Sequence, residues 1–174
     1  MDFVTEPERQ IPVIYDADVL ICGGGFAGVA AAVAAGRNGM SVMLIEKYGF
    51  LGGLATGALV ITTPPLNNGI NREIAKRLQD WGSYAPDPSR EASANSDDID
   101  GLAGLKPYDP ETIKFEFVRM LLDQKVEILF HSYIAGVLRT NNRIQAVFVE
   151  NKAGRSAVRA KMFVDATGDA DIAV

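Results

Sequence analysis

Asp18 to Gly28 reads DVLICGGGFAG, a short apolar run that meets Gly23, Gly25 and Gly28 in the spacing GxGxxG. Val19, Leu20, Ile21 and Cys22 have the character of a buried parallel strand, and the residues that follow, FAGVAAAVAAGRNG, are small and helix-forming. Strand, glycine turn and helix in that order make the front half of a βαβ nucleotide-binding unit. Each glycine is there for a physical reason. Gly23 permits the tight turn, Gly25 admits a pyrophosphate close to the backbone, and Gly28 lets helix pack on strand. The helix N-terminus then offers unpaired N–H groups and the positive end of its dipole. A glycine-rich bend with no ligand would share the spacing alone. The second apolar run, SVMLIE, separates the two readings, because it ends on Glu46 about 20 residues after the turn, where a carboxylate accepts from ribose hydroxyls.

Outward from this unit, 174 residues suit one domain or one and a half, and 48% hydrophobic with 22% charged residues is enough to build a core. The net charge of −5 and pI of about 4.9 leave no footprint for nucleic acid or an anionic membrane. An acidic chain that binds an anionic dinucleotide must use local backbone dipoles. Cys22 is the one cysteine, so there is no disulfide, CxxC or zinc framework, and it is expected to be a small buried hydrophobe. The start, MDFVTEPERQ, is polar and unlike a signal peptide, and the alanine-rich helix is too short to span a bilayer. A cytoplasmic location is expected.

Residues 1 to 15 read as an arm, with IPVIY against the sheet edge. Asn38 and Gly39 end the first helix. KYGFLGGLATGALV, with four glycines, is too irregular for a strand and implies close approach to its backbone. Ile70, Ile74, Leu78 and Trp81 recur at helical spacing, which favours packing for Trp81 over stacking on a ligand. Arg72, Lys76 and Arg77 read as a solvated face more than as phosphate ligands. From Gly82 to Pro107, prolines, serines and acids imply a long loop or lid; Asp97, Asp98 and Asp100 lack the calcium-loop pattern. Asp109 to Gln124 is a helix capped by Asp109 with Pro110 at its first position, leading into the strand VEILF. His131, the only histidine, follows with no obvious partner and reads as a bystander. Ile134 to Arg139 and Ile144 to Glu150 form a hairpin around Asn141 and Asn142, SAVRAKMFV adds a third strand, and together they suggest a small β layer over the parallel sheet. A final apolar strand, a turn of Ala166, Thr167, Gly168 and Asp169, and DIAV as the start of a helix close the chain, which is expected to be truncated.

Four stretches in order, DVLICGGGFAGVAAAVAA, LIEKYGFLGGLATGAL, the segment from YDPETIKFEFVRMLLDQKVEILF, and VDATGDADIA, resemble the N-terminal part of the FAD-dependent oxidoreductases with a glutathione-reductase-like FAD domain. The resemblance implies an α/β Rossmann-like FAD-binding domain, a parallel sheet plus a small antiparallel β layer. Its incomplete core would occupy 16–60 and 109–174, with 61–108 as a helical insertion and flexible loop or lid. It implies that Gly23, Gly25, Phe26, Ala27 and Gly28 meet the FAD pyrophosphate and that Glu46 and Lys47 lie at the adenosine ribose. Gly52, Gly53, Ala55 and Thr56 would run beside the pyrophosphate toward the flavin ring, and Ile134 would meet adenine through its backbone. Ala166, Thr167, Gly168 and Asp169 would form a turn close to the cofactor. The double glycine tilts the choice from NAD to FAD. The activity implied is transfer of a hydride equivalent from a small-molecule substrate to FAD, then to a separate electron acceptor, with no metal and no assigned catalytic residue. The alternatives are an NAD-linked dehydrogenase domain and a nucleotide-binding module without turnover.

Overall fold

The computed structural model describes residues 2–60, 62–63, 69–83 and 106–173. In chain order the elements are β1 (Val13–Cys22), α1 (Phe26–Arg37), β2 (Val42–Ile45), a 3-10 turn (Gly53–Ala55), β3 (Thr62–Thr63), α2 (Gly69–Asp80), β4 (Lys106–Pro107), α3 (Pro110–Asp123), β5 (Glu127–Leu129), β6 (Tyr133–Thr140), β7 (Arg143–Asn151) and β8 (Gly154–Asp165). Six strands form one mixed sheet in the order β5-β2-β1-β8-β7-β6, while β3 and β4 pair separately. The first four are parallel to one another; β7 and β6 are antiparallel additions.

Side chains alternate across a strand, and the sequence uses both faces. Val19 and Ile21 of β1 with Val42 and Leu44 of β2 turn toward the helices, where Val29, Val33, Leu78, Ile113, Phe117 and Leu121 complete one core. Leu20, Cys22, Met43 and Ile45 turn the other way and meet Val147, Val149 and Val158. The meander is the antiparallel part of this one mixed sheet, joined to the parallel strands through β8 and sharing a core with their second face; it continues the sheet where a layer over it was expected.

One strand makes this possible, and here the structure revises the sequence reading. SAVRAKMFV and the strand before the ATG turn are a single 12-residue strand, β8. It pairs antiparallel with β7 from Asn151↔Gly154 to Ala146↔Arg159 and parallel with β1 from Val13↔Ala157 to Cys22↔Asp165, so Ala157 to Arg159 are flanked on both sides. Val13 to Tyr15, expected in the arm, belong to β1 and pair with Ala157 and Val158. Asp171 to Ala173, expected as the start of a helix, form a turn, with Ala173 N–H donating to Ala170 O (3.1 Å) and Ile172 N–H to the Asp165 carboxylate (3.1 Å).

The helix caps and the hairpin turn are as expected; Trp81 and Arg77 are not, since Trp81 is half exposed where packing was expected and Arg77 pairs with buried Glu116 where a solvated face was expected. Asp109 accepts from Glu111 N–H (3.1 Å) and from the Thr112 hydroxyl (2.9 Å), and Pro110 opens α3. Those bonds, the Glu111 N–H foremost, hold the Asp109 carboxyl below its ordinary pKa. Phe117 is fully buried and meets Phe26 edge to face at 4.9 Å, a contact that ties α3 to the start of α1. The β6–β7 hairpin turns at Asn141, whose φ is +55°. Trp81 lies just past α2, half exposed, and donates to Glu116 at 2.7 Å. The loop expected from Gly82 to Pro107, with Asp97, Asp98 and Asp100, falls for the most part outside the described residues.

Candidate cofactor site at the glycine junction

The chain leaves β1 through α1 to reach β2 on one side, while β8 lies on the other, so the sheet has its topological switch point between β1 and β8. Ligand crevices in open α/β sheets form there, beyond the carboxyl ends of the strands. Gly23 sits at that end of β1 with φ +103°, and Ala166 N–H donates to Cys22 O at 2.8 Å. A Cβ at Gly23 would stand 2.4 Å from Ala166 O, and one at Gly28 would stand 1.9 Å from Gly23 O. Backbone fills the space that side chains would need. Gly25 is the opposite case: a Cβ there would meet nothing within 4 Å. It is the N-cap of α1, which has no side-chain cap, so the first-turn N–H groups, Phe26 and Ala27 among them, face open space.

The second glycine loop lies directly on the first. Gly52 N–H donates to Gly24 O (2.8 Å), Gly25 and Gly52 form a parallel bridge, and a Cβ at Gly53 would come within 3.2 Å of the Gly25 Cα. Glu46, buried at the end of β2, fastens both: its Oε2 accepts from Gly24 N–H (2.7 Å) and its Oε1 from Tyr48 N–H (2.9 Å). Each carboxylate oxygen keeps a further lone pair for a ribose hydroxyl. Ala55 and Thr56 are buried inside the loop, and the Thr56 hydroxyl donates to Leu51 O (2.7 Å), which makes Thr56 a brace of the loop.

The third segment follows β8. Burial raises the Asp165 pKa, but the Thr167 hydroxyl and the N–H groups of Thr167, Ile172 and Ala173 outweigh it and hold the carboxyl below its ordinary value. Asp165 thereby shapes the turn carrying Ala166, Thr167, Gly168 (φ +90°) and Asp169. Lys47 is exposed, its Nζ 5.4 Å from the Tyr48 ring centroid. Ile134 is half buried at the start of β6, which Ser132 N–H to Glu46 O (3.0 Å) and His131 N–H to Tyr48 O (3.1 Å) attach to the end of β2. Three stretches, Gly23–Gly28, Gly52–Thr56 and Ala166 with Thr167, thus meet at one junction. Lys47 and Ile134 lie toward its Glu46 side; Gly168 and Asp169 point the chain away into solvent.

Sequence reasoning passed over Gly24, which carries bonds to both Glu46 and Gly52, and Asp165, whose Asp-x-Thr spacing is a turn signal in its own right. It also passed over Tyr108, far away in sequence, whose hydroxyl bonds the carbonyls of Ala55 and Val60. Burial pushes the Cys22 thiol up to about 12, with Asp165 and Asp171 adding to the effect, so Cys22 is the inert core residue expected. Arg77 is engaged by Glu73, Glu116 and Asp123. A separate cavity of about 210 Å³ lies between the arm and the meander, where Arg9 and Arg155 are paired with Glu6 and Glu150.

The family model of the FAD dependent oxidoreductases matches residues 18–174. The chain belongs to that family. Its cofactor is FAD, and the NAD-linked alternative is not favoured. Dihydrolipoamide dehydrogenase of Chaetomium thermophilum is 47% identical over 53 residues, 30% of this chain and 10% of that protein. Urocanate reductase of Eggerthella lenta is 36% identical over 90 residues, 47% of this chain and 15% of that protein. The chain therefore spans a small part of these curated relatives. Among solved structures, THI4 of Thermovibrio ammonificans superposes with a TM-score of 0.62 at 20% identity, over 91% of this chain and 60% of that one, which shows the shared fold. Among the described residues no helix is long and apolar enough to cross a membrane.

Proposed function

We propose that the glycine junction holds the adenosine and pyrophosphate parts of FAD, and that the chain serves as the FAD-binding portion of an oxidoreductase taking a hydride equivalent from a small-molecule substrate. The observation that carries this reading is the open space at Gly25, bounded by the uncapped start of α1 and roofed by the Gly52–Gly53 loop. The N–H groups of Phe26 and Ala27, with the positive end of the α1 dipole, would balance the phosphate charge that an acidic chain otherwise repels. Glu46 would accept from the ribose hydroxyls with the lone pairs that Gly24 and Tyr48 leave free, and Lys47 and the Ile134 backbone border the adenosine end. Gly52, Gly53, Ala55 and Thr56 would set the course of the second loop toward the flavin, with Ala166 and Thr167 closing the opposite side and Gly168 and Asp169 leading the chain away from it. Bound FAD supplies the redox chemistry, accepting the hydride equivalent and releasing electrons to an acceptor.

The antiparallel meander β6–β8 joined to the parallel strands supports the glutathione-reductase-like form of this domain, with its core in 16–60 and 109–174 and an insertion over 61–108. The partners in this reading are a small-molecule substrate and a separate electron acceptor. The net charge of −5 supports the absence of nucleic acid and membrane from the set, and with it a cytoplasmic location.

The test is the absorption spectrum of the purified chain after FAD is added and the excess removed. Wild type is expected to keep flavin bands. Gly25→Val is expected to lose them while keeping its melting temperature, since the new side chain enters only the phosphate space. Glu46→Gln, which replaces one of two backbone-accepting oxygens by a donor, is expected to weaken binding about tenfold. Equal flavin retention in Gly25→Val would overturn the assignment.

A further inference from the structure

The loop from Leu54 to Val60 continues the second glycine pair; Ala55 and Thr56 are buried at its start, and little apolar burial holds the rest. Leu54, Leu59 and Val60 are all exposed, with Leu54 at 74%. Leu59 has φ +54°, the left-handed region, which for a leucine costs about 1 kcal/mol and persists only where neighbours impose it. The restraint comes from polar bonds. Val60 N–H donates to Leu54 O (3.2 Å) and closes the loop on itself. The Tyr108 hydroxyl reaches Ala55 O (3.2 Å) and Val60 O, one carbonyl at each end of the loop.

Tyr108 is well placed to impose this shape. Its ring is buried in the helical-face core beside Leu51, Ala55 and Ile113, and the next residue is the N-cap of α3, so its position is set by the helix layer and not by the loop. Burial raises its pKa, so the phenol stays a hydrogen-bond donor. A phenol anchored in a rigid layer and bonded to two carbonyls of a strained, exposed loop works as a clamp.

We propose that Tyr108 is a positioning residue for the cofactor: it clamps the Ala55 and Val60 carbonyls and thereby fixes the loop that continues Gly52 and Gly53 beside the α1 N-terminus. The proposal rests on the FAD reading for its functional consequence, while the clamp itself belongs to the protein alone. Tyr108→Phe keeps the ring in the core and removes only the hydroxyl.

Two measurements on the whole chain test it. Hydrogen–deuterium exchange without FAD is expected to show faster exchange in Tyr108→Phe over the stretch from Leu54 to Val60, with α1 and α3 unchanged. FAD titration followed by flavin absorption is expected to show an affinity about three- to tenfold weaker, with a shifted bound-flavin spectrum and an unchanged melting temperature. Unaltered exchange over the loop overturns the clamp, whatever FAD does. Faster exchange with unchanged FAD affinity and spectrum overturns the cofactor role. If wild type takes up no FAD, the proposed function and this cofactor role both fall, and the exchange arm still decides the clamp.

Discussion

The glycine junction and the α2–α3 interface are both places where the chain brings distant segments together, and they do so by opposite means. At the junction, side chains are absent and backbone meets backbone: Gly52 on Gly24, Ala166 on Cys22. Between α2 and α3, long side chains converge on one carboxylate. Glu116, buried at 2% exposure, accepts from Trp81 (2.7 Å), Arg119 (2.9 Å) and Arg77 (3.3 Å), and Arg77 continues to Glu73 and Asp123. The first arrangement leaves room for a ligand with its own charges. The second pairs its described charges with one another, Glu116 with Arg77 and Arg119 and Arg77 with Glu73 and Asp123. Absence of side chains is the functional signal here, and abundance of charge is the structural one.

Substitutions can break this contrast. The largest effect is expected from Gly28→Val, whose Cβ has no room against Gly23 O: about 3 kcal/mol of stability or more, read from urea denaturation, and with it the site. Gly25→Val, three residues earlier, is expected to cost binding and no stability, so this pair of variants separates scaffold from ligand space within one turn. Glu116→Ala is expected to do the reverse, lowering stability by about 2 kcal/mol while FAD affinity stays unchanged. The cost falls below that of a fully buried pair because Arg77 and Arg119 keep contact with water.

The smallest effect concerns pH. The Lys161 hydrogen bond, and after it the bonds with Ser41, hold the exposed Asp18 carboxyl down to about 2. A depressed carboxyl stabilises the fold above its unfolded pKa of about 3.9 and loses that contribution as pH falls through the folded value. Acid titrations of wild type and Asp18→Asn are therefore expected to differ by a constant amount above about pH 4 and to converge toward pH 2. Curves that diverge only above pH 6 would place the linkage elsewhere.

The contrast also explains what could be read in the sequence. Gly23 and Gly28 were legible because backbone leaves no room for a side chain there, Gly25 and Glu46 because of their spacing from that turn, and Asp109 with Pro110 because a cap has local chemistry. Glu116 was only half legible: three residues after Ile113 and four before Met120, it has the spacing of the buried face of α3, but nothing local names Trp81 and Arg77, the partners that α2 brings to its charge. Tyr108 and Gly24 escaped for a similar reason, since their partners lie 53 and 22 residues away. The double identity of β8 was hidden because apolar alternation reports burial and not which neighbour provides it.

That strand has a consequence for the order of events as the chain folds. β1 and β8 lie side by side in the middle of the sheet, yet Asp18 and Lys161, bonded across them, are 143 residues apart. Closing so long a loop carries an entropic cost that only late, cooperative docking repays. Until β8 arrives, β1 has a bare edge at the sheet's centre, and Gly23 lacks the Ala166 backbone that defines its turn. A chain emerging from the ribosome can thus complete α1 and β2 long before the backbone of Ala166 reaches Cys22 and Gly23, so the glycine junction assembles only after β8 is in place.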